Sequence, residues 1–270
     1  MEVSLPTVGT HKPASTLQWV WQYRELLKSL IARDLKIQYR GSVLGLVWSL
    51  LNPVFLVLVY VIAFKFVLRF RLESYTLWIL TGILHWQFFA TASITSTNIL
   101  INNANLIHNV HFPRIILPLA VVGSKCVHLL FSMFAYLVLF VPMGGHFWSG
   151  MLLYPLALFL QILFVIGMTL SFSILTLYLR DLQHLLGVGI PMLFWLTPII
   201  YNFSQIPEWA HIWFRLNPMV SFIIPFQEIL YLHEIPSLVN WAFMVAVAVI
   251  SLGLGFYLFE RLKKHMEDYL

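Results

Sequence analysis

The sequence predicts an all-α membrane protein with six transmembrane helices, and three observations carry that reading. Of its 270 residues, 60% are hydrophobic and 10% charged, against roughly 25% charged in a soluble domain. No soluble core of this length could bury so much apolar side chain, so much of it must face lipid or other membrane helices. Six stretches are each about as long as the ~20 apolar residues a spanning helix needs. They cover 43–64, 77–97, 115–141, 151–178, 182–201 and 237–259, and Lys125 is the single charge among them. Finally, the basic residues gather at the ends. Lys12, Arg24, Lys28, Arg33, Lys36 and Arg40 precede the first run, and Arg261, Lys263 and Lys264 follow the last.

An even number of spans puts both termini on one side of the membrane. With that side cytoplasmic, the inner segments hold eleven of the 16 Lys and Arg residues, Arg114 and Arg180 completing the set. The outer segments hold Lys65, Arg69, Arg71 and Arg215. Cytoplasmic loops carry the excess of basic residues, so the orientation follows. Placed this way, the net charge of +5 is a membrane-topology signal, and nucleic acid is excluded as a partner. The one cysteine, Cys126, rules out an internal disulfide framework and a Cys-based metal site.

Two units follow. Residues 1–42 form a cytoplasmic tail with an amphipathic interface helix, and residues 43–270 form the transmembrane domain. Ser15 and Gln18 fit a capping box that starts the interface helix. From there Gln18, Gln22, Glu25, Ser29, Arg33, Lys36 and Arg40 recur at steps of three and four, one face of a 3.6-residue helix. Leu17, Val20, Trp21, Leu27, Leu30, Ile31 and Leu35 occupy the other faces. The pattern predicts a helix along the inner membrane surface, its basic side toward water and lipid phosphates.

Two further segments are neither spans nor plain loops. Asn98, Asn102, Asn103, Asn105 and Asn109 punctuate a stretch that also holds Leu106, Ile107 and Val110. It is too polar for hydrocarbon and too apolar for a free loop, so a short cytoplasmic helix at about 101–112, covered by another protein, is expected. On the outer side, residues 202–236 are rich in apolar groups yet broken by Pro207, Pro218, Pro225 and Pro236. Short helices dipping back into the outer leaflet accommodate both features.

Catalytic chemistry leaves little trace. Ten histidines are present without an H-E-x-x-H motif or a His/Cys cluster, and His108 with His111 lacks a third ligand, so no metal site is expected. There is no G-x-x-x-x-G-K-[ST] phosphate loop, so ATP would have to be used elsewhere. Lys125, inside a span, faces either a polar pathway or a structural partner, because an isolated charge at that depth is costly. The ten Trp, eleven Tyr and 22 Phe exceed what interfacial belts require. An aromatic-lined conduit for sugar rings would use them.

Four stretches carry a family likeness: RDLKIQYRGSVLGLVWSLLNP from Arg33 to Pro53, NANLIHNVHFPRIILPL from Asn103 to Leu119, YLRDLQH at Tyr178 leading to TPIIY at Thr197, and NPM at Asn217. With the six-span layout, the chain resembles the type-2 ABC export permeases that move polysaccharides and polyol phosphates, the O-antigen and teichoic-acid exporters in particular. The resemblance implies a homodimer with two copies of an ABC ATPase that holds ATP and Mg, no cofactor on this chain, and a multi-pass location in the bacterial inner membrane. It implies that Asn105, Leu106, Ile107, His108, Asn109 and Val110 are the coupling helix docked in that ATPase. Relatives often carry Lys in this helix where this chain has His108. Tyr39, Arg40, Gly41, Ser42, Leu44 and Gly45 would be the cytoplasmic gate, where Arg40 meets the pyrophosphate of an undecaprenyl-linked glycan. Pro207, Trp209, Asn217 and Pro218 would belong to the outer gate. Other expected cargoes are teichoic acid, capsule or a small hydrophobic compound. An integral-membrane transferase would want a carboxylate or His cluster that the inner loops lack.

Overall fold

The computed structural model describes residues 22–38, 75–141 and 144–269, with a few isolated positions between 47 and 62. The described residues are helical throughout, with no strand. In chain order they form α1 (Arg24–Gln38), α2 (Tyr75–Thr97), α3 (Ile99–Asn102), α4 (Ala104–Asn109), α5 (Ile116–Phe140), α6 (Tyr154–Tyr178) and α7 (Asp181–Trp195). Then follow α8 (His211–Arg215), α9 (Val220–Gln227) and α10 (Leu238–Leu262).

Four helices are long and apolar enough to cross a membrane, over Thr76–Thr97, Ile116–Val138, Ser149–Tyr178 and Leu238–Met266. At about 1.5 Å per residue, 23 to 25 residues reach ~35 Å, more than a hydrocarbon core of ~30 Å. The ends are set locally. Pro155 occupies the first turn of α6, where no amide is needed, and the Ser237 hydroxyl caps α10 by accepting from the Asn240 amide at 3.2 Å. The first expected span, 43–64, lies largely outside the described residues, as do Ser15 and Gln18.

The fifth expected span differs in extent. Instead of running over 182–201, α7 holds 15 residues with Pro191 inside and stops at Trp195, a reach of ~22 Å. Beyond it Thr197, Pro198, Ile199 and Ile200 turn into the protein and are buried. A second short apolar stretch, Val220–Leu232, packs into the same core.

The bundle is organised around two contacts. Helix α6 crosses α10 where both carry small residues: a methyl built on Gly255 would overlap the Gly167 carbonyl, and one on Gly167 would overlap the Ser251 backbone. Such residues let helix backbones approach within a bilayer, and the Ser251 hydroxyl donates to the Phe164 carbonyl at 3.0 Å. Helix α2 is the central strut, enclosed on most of its circumference. Its Thr81 hydroxyl donates to the Leu77 carbonyl at 2.9 Å and lies 3.1 Å from the Tyr136 hydroxyl. Its His85 is fully buried. There Nδ1–H donates to Gln161 Oε1 at 2.8 Å, and Gln161 Nε2 returns a bond to the His85 carbonyl at 3.0 Å. The Phe226 ring of α9 stacks on the imidazole with centroids 3.5 Å apart. One side chain thus joins α2, α6 and α9.

The α6–α10 crossing has a direct check. Gly255→Leu forces backbones apart and is expected to cost about 1–3 kcal/mol or more, lowering the thermal midpoint in detergent. Gly253→Ala, at a position facing open space, should leave that midpoint unchanged.

Candidate functional site

Two non-spanning regions collect the residues singled out above. In the first, α1 begins at Arg24, and Gln22 just before it and Glu25, Ser29 and Lys36 within it are exposed as the stripe requires. Leu30 is buried, and Ile31 fills the space left by Gly123 of α5. Arg33 departs from the stripe. Its side chain is only partly in water, and Nη2 donates to Asn103 Oδ1 at 3.0 Å and to Asp34 Oδ1 at 3.3 Å. Gln38 Oε1 lies 3.0 Å from His128 Nε2 of α5. Lys125, one turn before His128 on the same helix, is half-buried.

The Asn-rich segment folds as two short helices, α3 and α4, with Asn103 between them at φ −114°, ψ 22°. Its asparagines bond to backbone, the habit that makes this residue favour caps and turns. Asn103 Nδ2 donates to the Ile99 carbonyl at 2.7 Å, and the Asn103 carbonyl accepts from the Leu106 and Ile107 amides at 3.0 Å each. Asn109 Nδ2 donates to the Asn105 carbonyl at 2.7 Å. This gives α4 two faces. Ile107 is buried with Leu30, Ile99, Leu100 and Ile115, and Leu106 packs on the same cluster. Asn105, His108 and Asn109 are exposed, and Val110 leaves the helix in an extended conformation. The mixed character read from sequence thus has an internal cause: the chain covers the apolar face itself, and only the polar face is open to a partner. Tyr39, Arg40, Gly41, Ser42, Leu44 and Gly45 lie outside the described residues.

In the second region, between α7 and α9, a chain of short turns replaces a single element. Asn202 caps the turn Phe203–Gln205, accepting from the Ser204 amide at 3.1 Å while its own amide donates to Gln205 Oε1 at 3.2 Å. Pro207 precedes the turn Glu208–Ala210. Trp209 of that turn, Ile212 and Trp213 of α8 and Leu216 just after it are all exposed. Arg215 lies over the Phe203 and Phe243 rings at 5.7 and 5.6 Å, a cation–π arrangement that holds the turns against α10. Pro218 is half-buried.

Asn217 is the pin of this region. Buried, it donates to Thr197 Oγ1 at 2.8 Å and accepts from the Met219 amide at 3.0 Å. Nearby, Gln227 Nε2 donates to the Pro198 carbonyl at 3.1 Å. The TPIIY and NPM motifs, apart in sequence, therefore form one hydrogen-bonded node that ties the end of α7 to the start of α9. Between α2 and α7 opens a groove of about 330 Å³ lined by Trp86, Gln87, Ile94, Pro191, Phe194 and Trp195, among others.

Sequence reasoning missed Arg33–Asn103, His85–Gln161 and Gln227–Pro198. Only His85 carried a signal, as a polar residue stranded in an apolar run. Among the described residues no three His, Cys, Asp or Glu side chains gather as metal ligands would.

Residues 25–231 match the family described as ABC-2 type transporter. An O-antigen export system permease protein RfbA from Myxococcus xanthus is 31% identical over 251 residues, covering 92% of this chain and 96% of that protein. Two proteins of the same name from Klebsiella pneumoniae are each 30% identical, covering 91% of this chain and 95% of theirs.

The outer node can be tested through its pin. Asn217→Leu orphans the Met219 amide and leaves the loop at Thr197 unheld, with an expected loss of about 1–3 kcal/mol. A drop in the thermal midpoint measures it, and Asn217→Asp, which keeps the acceptor for Met219, should recover part of that loss.

Proposed function

The chain belongs to the ABC-2 type transporter family, and on that premise we propose that it is the transmembrane subunit of an ATP-driven exporter of lipid-linked polysaccharide of the O-antigen class. One observation carries the cargo class: likeness to permeases of that name extends over 92% of this chain and 96% of the relative. Family membership implies an ABC ATPase as partner, consistent with the missing phosphate loop. ATP and Mg then reside on that partner, and this chain supplies path and gates.

In this reading two copies of the chain enclose the conduit, in the bacterial inner membrane with both termini cytoplasmic. The open side of α7, where Gly187 and Gly189 face empty space, supports a second copy there. Closure of the ATPases presses on the polar face of α4 at Asn105, His108 and Asn109. Leu106 and Ile107 pass the load into the core beneath, so the segment transmits force instead of bending. The cytoplasmic gate from Tyr39 to Gly45 receives the undecaprenyl pyrophosphate, with Arg40 offering a forked donor to its oxygens. The exposed aromatics Trp195, Trp209 and Trp213 give pyranose rings flat surfaces near the outer end. Any conformational change driven by ATP must rest on different affinity for the two states, and the Asn217 node keeps the outer turns a defined unit while it occurs.

Two experiments bear on this. His108→Glu places a carboxylate on the exposed face of α4 without touching the core. It should reduce co-purification of the ATPase by about ten-fold, as a charge opposed across an interface does; unchanged recovery overturns the docking assignment. Arg40→Ala should leave the complex assembled but lower export of a lipid-linked glycan into vesicles by about ten-fold, the worth of one charge-assisted contact. Wild-type export by that variant removes Arg40 from the site.

A further inference from the structure

We propose that Arg33 and Asn103 yoke the interface helix to the coupling segment, so that α1, α3 and α4 move as one body and any displacement of α4 carries the chain that follows Gln38. The inference rests on the reading of α4 as the ATPase-docking helix and adds where that input goes next.

Asn103 is built as a pivot that cannot turn freely. It is the single residue between α3 and α4, and its carbonyl accepts from the Leu106 and Ile107 amides in the first turn of α4. Its side chain is buried at 8% exposure and has both ends engaged, Nδ2 by the Ile99 carbonyl and Oδ1 by Arg33. Rotating α4 relative to α1 breaks the bond to Arg33 and strands a buried carbonyl oxygen. A buried acceptor left unmade is expensive.

Arg33 is the other half of the joint. Its Nη2 reaches Asn103 and Asp34 at once, while Nε is buried with no hydrogen-bond partner among the described residues. The side chain keeps part of its surface in water yet gives up solvent at Nε to reach an amide 70 residues away, which fits a fixed joint. The apolar layer beneath points the same way, since Leu30 of α1, Ile99 and Leu100 of α3 and Ile107 of α4 share one buried cluster. The body extends onto α5 through Gln38 with His128. Energetic coupling passes between sites through such contiguous packed and hydrogen-bonded elements. Arg33 and Asn103 are positioning residues, acting on cargo only through what α1 carries.

The test uses the full complex with its ATPase in vesicles, reading ATPase co-purification, ATP hydrolysis and glycan export separately. Arg33→Gln and Asn103→Leu should each keep the ATPase bound and hydrolysis within about two-fold while export falls about ten-fold, a split typical of a lost coupling contact. Asn103→Asp keeps an acceptor for Arg33 and should export within about three-fold of wild type. In a Cys126→Ala background, Arg33→Cys with Asn103→Cys should also export poorly. Bridging the two thiols with a bis-methanethiosulfonate reagent should restore export, and a reducing thiol should remove it again. Export unaffected by both single substitutions, or a bridged complex that stays inactive, overturns the yoke. So does loss of the ATPase in both single variants, because the joint would then only hold α4 in shape. The docking reading fails on a different result, retention of the ATPase by His108→Glu.

Discussion

Polar groups inside an apolar bundle must be completed by the chain itself, because hydrocarbon supplies no donor or acceptor, and the arrangement of this protein follows from how that demand is met. Within the spans the answer is local where the group is a hydroxyl: Thr81, Ser171 and Thr176 each donate to the carbonyl four residues back. Groups with two polar ends cannot be satisfied that way and reach across. His85 with Gln161, Asn217 with Thr197 and Gln227 with the Pro198 carbonyl each join separate elements. These pairs set which segments lie together, and the apolar side chains fill the space that remains.

The same rule separates the rigid parts from those open to partners. The Arg33–Asn103 bond and the cluster around Leu30 and Ile107 make α1, α3 and α4 a single layer. Asn105, His108 and Asn109 of α4 are turned outward. Elsewhere Asn217 gathers the end of α7 and the start of α9, while Trp209 in the turn before α8 and Trp213 on α8 are exposed.

Much of this was legible in the residues. The four long helices coincide with apolar runs because length and hydropathy alone decide whether a helix can cross. The helical stripe of α1 was legible because its exposed positions repeat with the 3.6-residue period. The Asn-rich segment and the proline-broken segment stood out by composition. Less legible was the extent of the fifth run: α7 ends at Trp195 because Thr197 and Pro198 are drawn inward by Asn217 and Gln227, partners 20 and 29 residues further on. Periodicity carries no record of such a contact. Arg33 was read as one more basic residue of a water-facing stripe for the same reason, since its partner is 70 residues away.

By itself, then, the sequence determined what depends on composition and short-range order: a helical membrane chain and the family likeness written in four motifs. Tertiary structure alone decided which polar groups meet. It turned Asn103 inward and left Asn105 exposed two residues later, and closed two distant motifs into the node at Asn217. The physical reason is that a polar side chain has the same local signature whether it faces water or a buried partner, and only the packing of remote segments makes that choice.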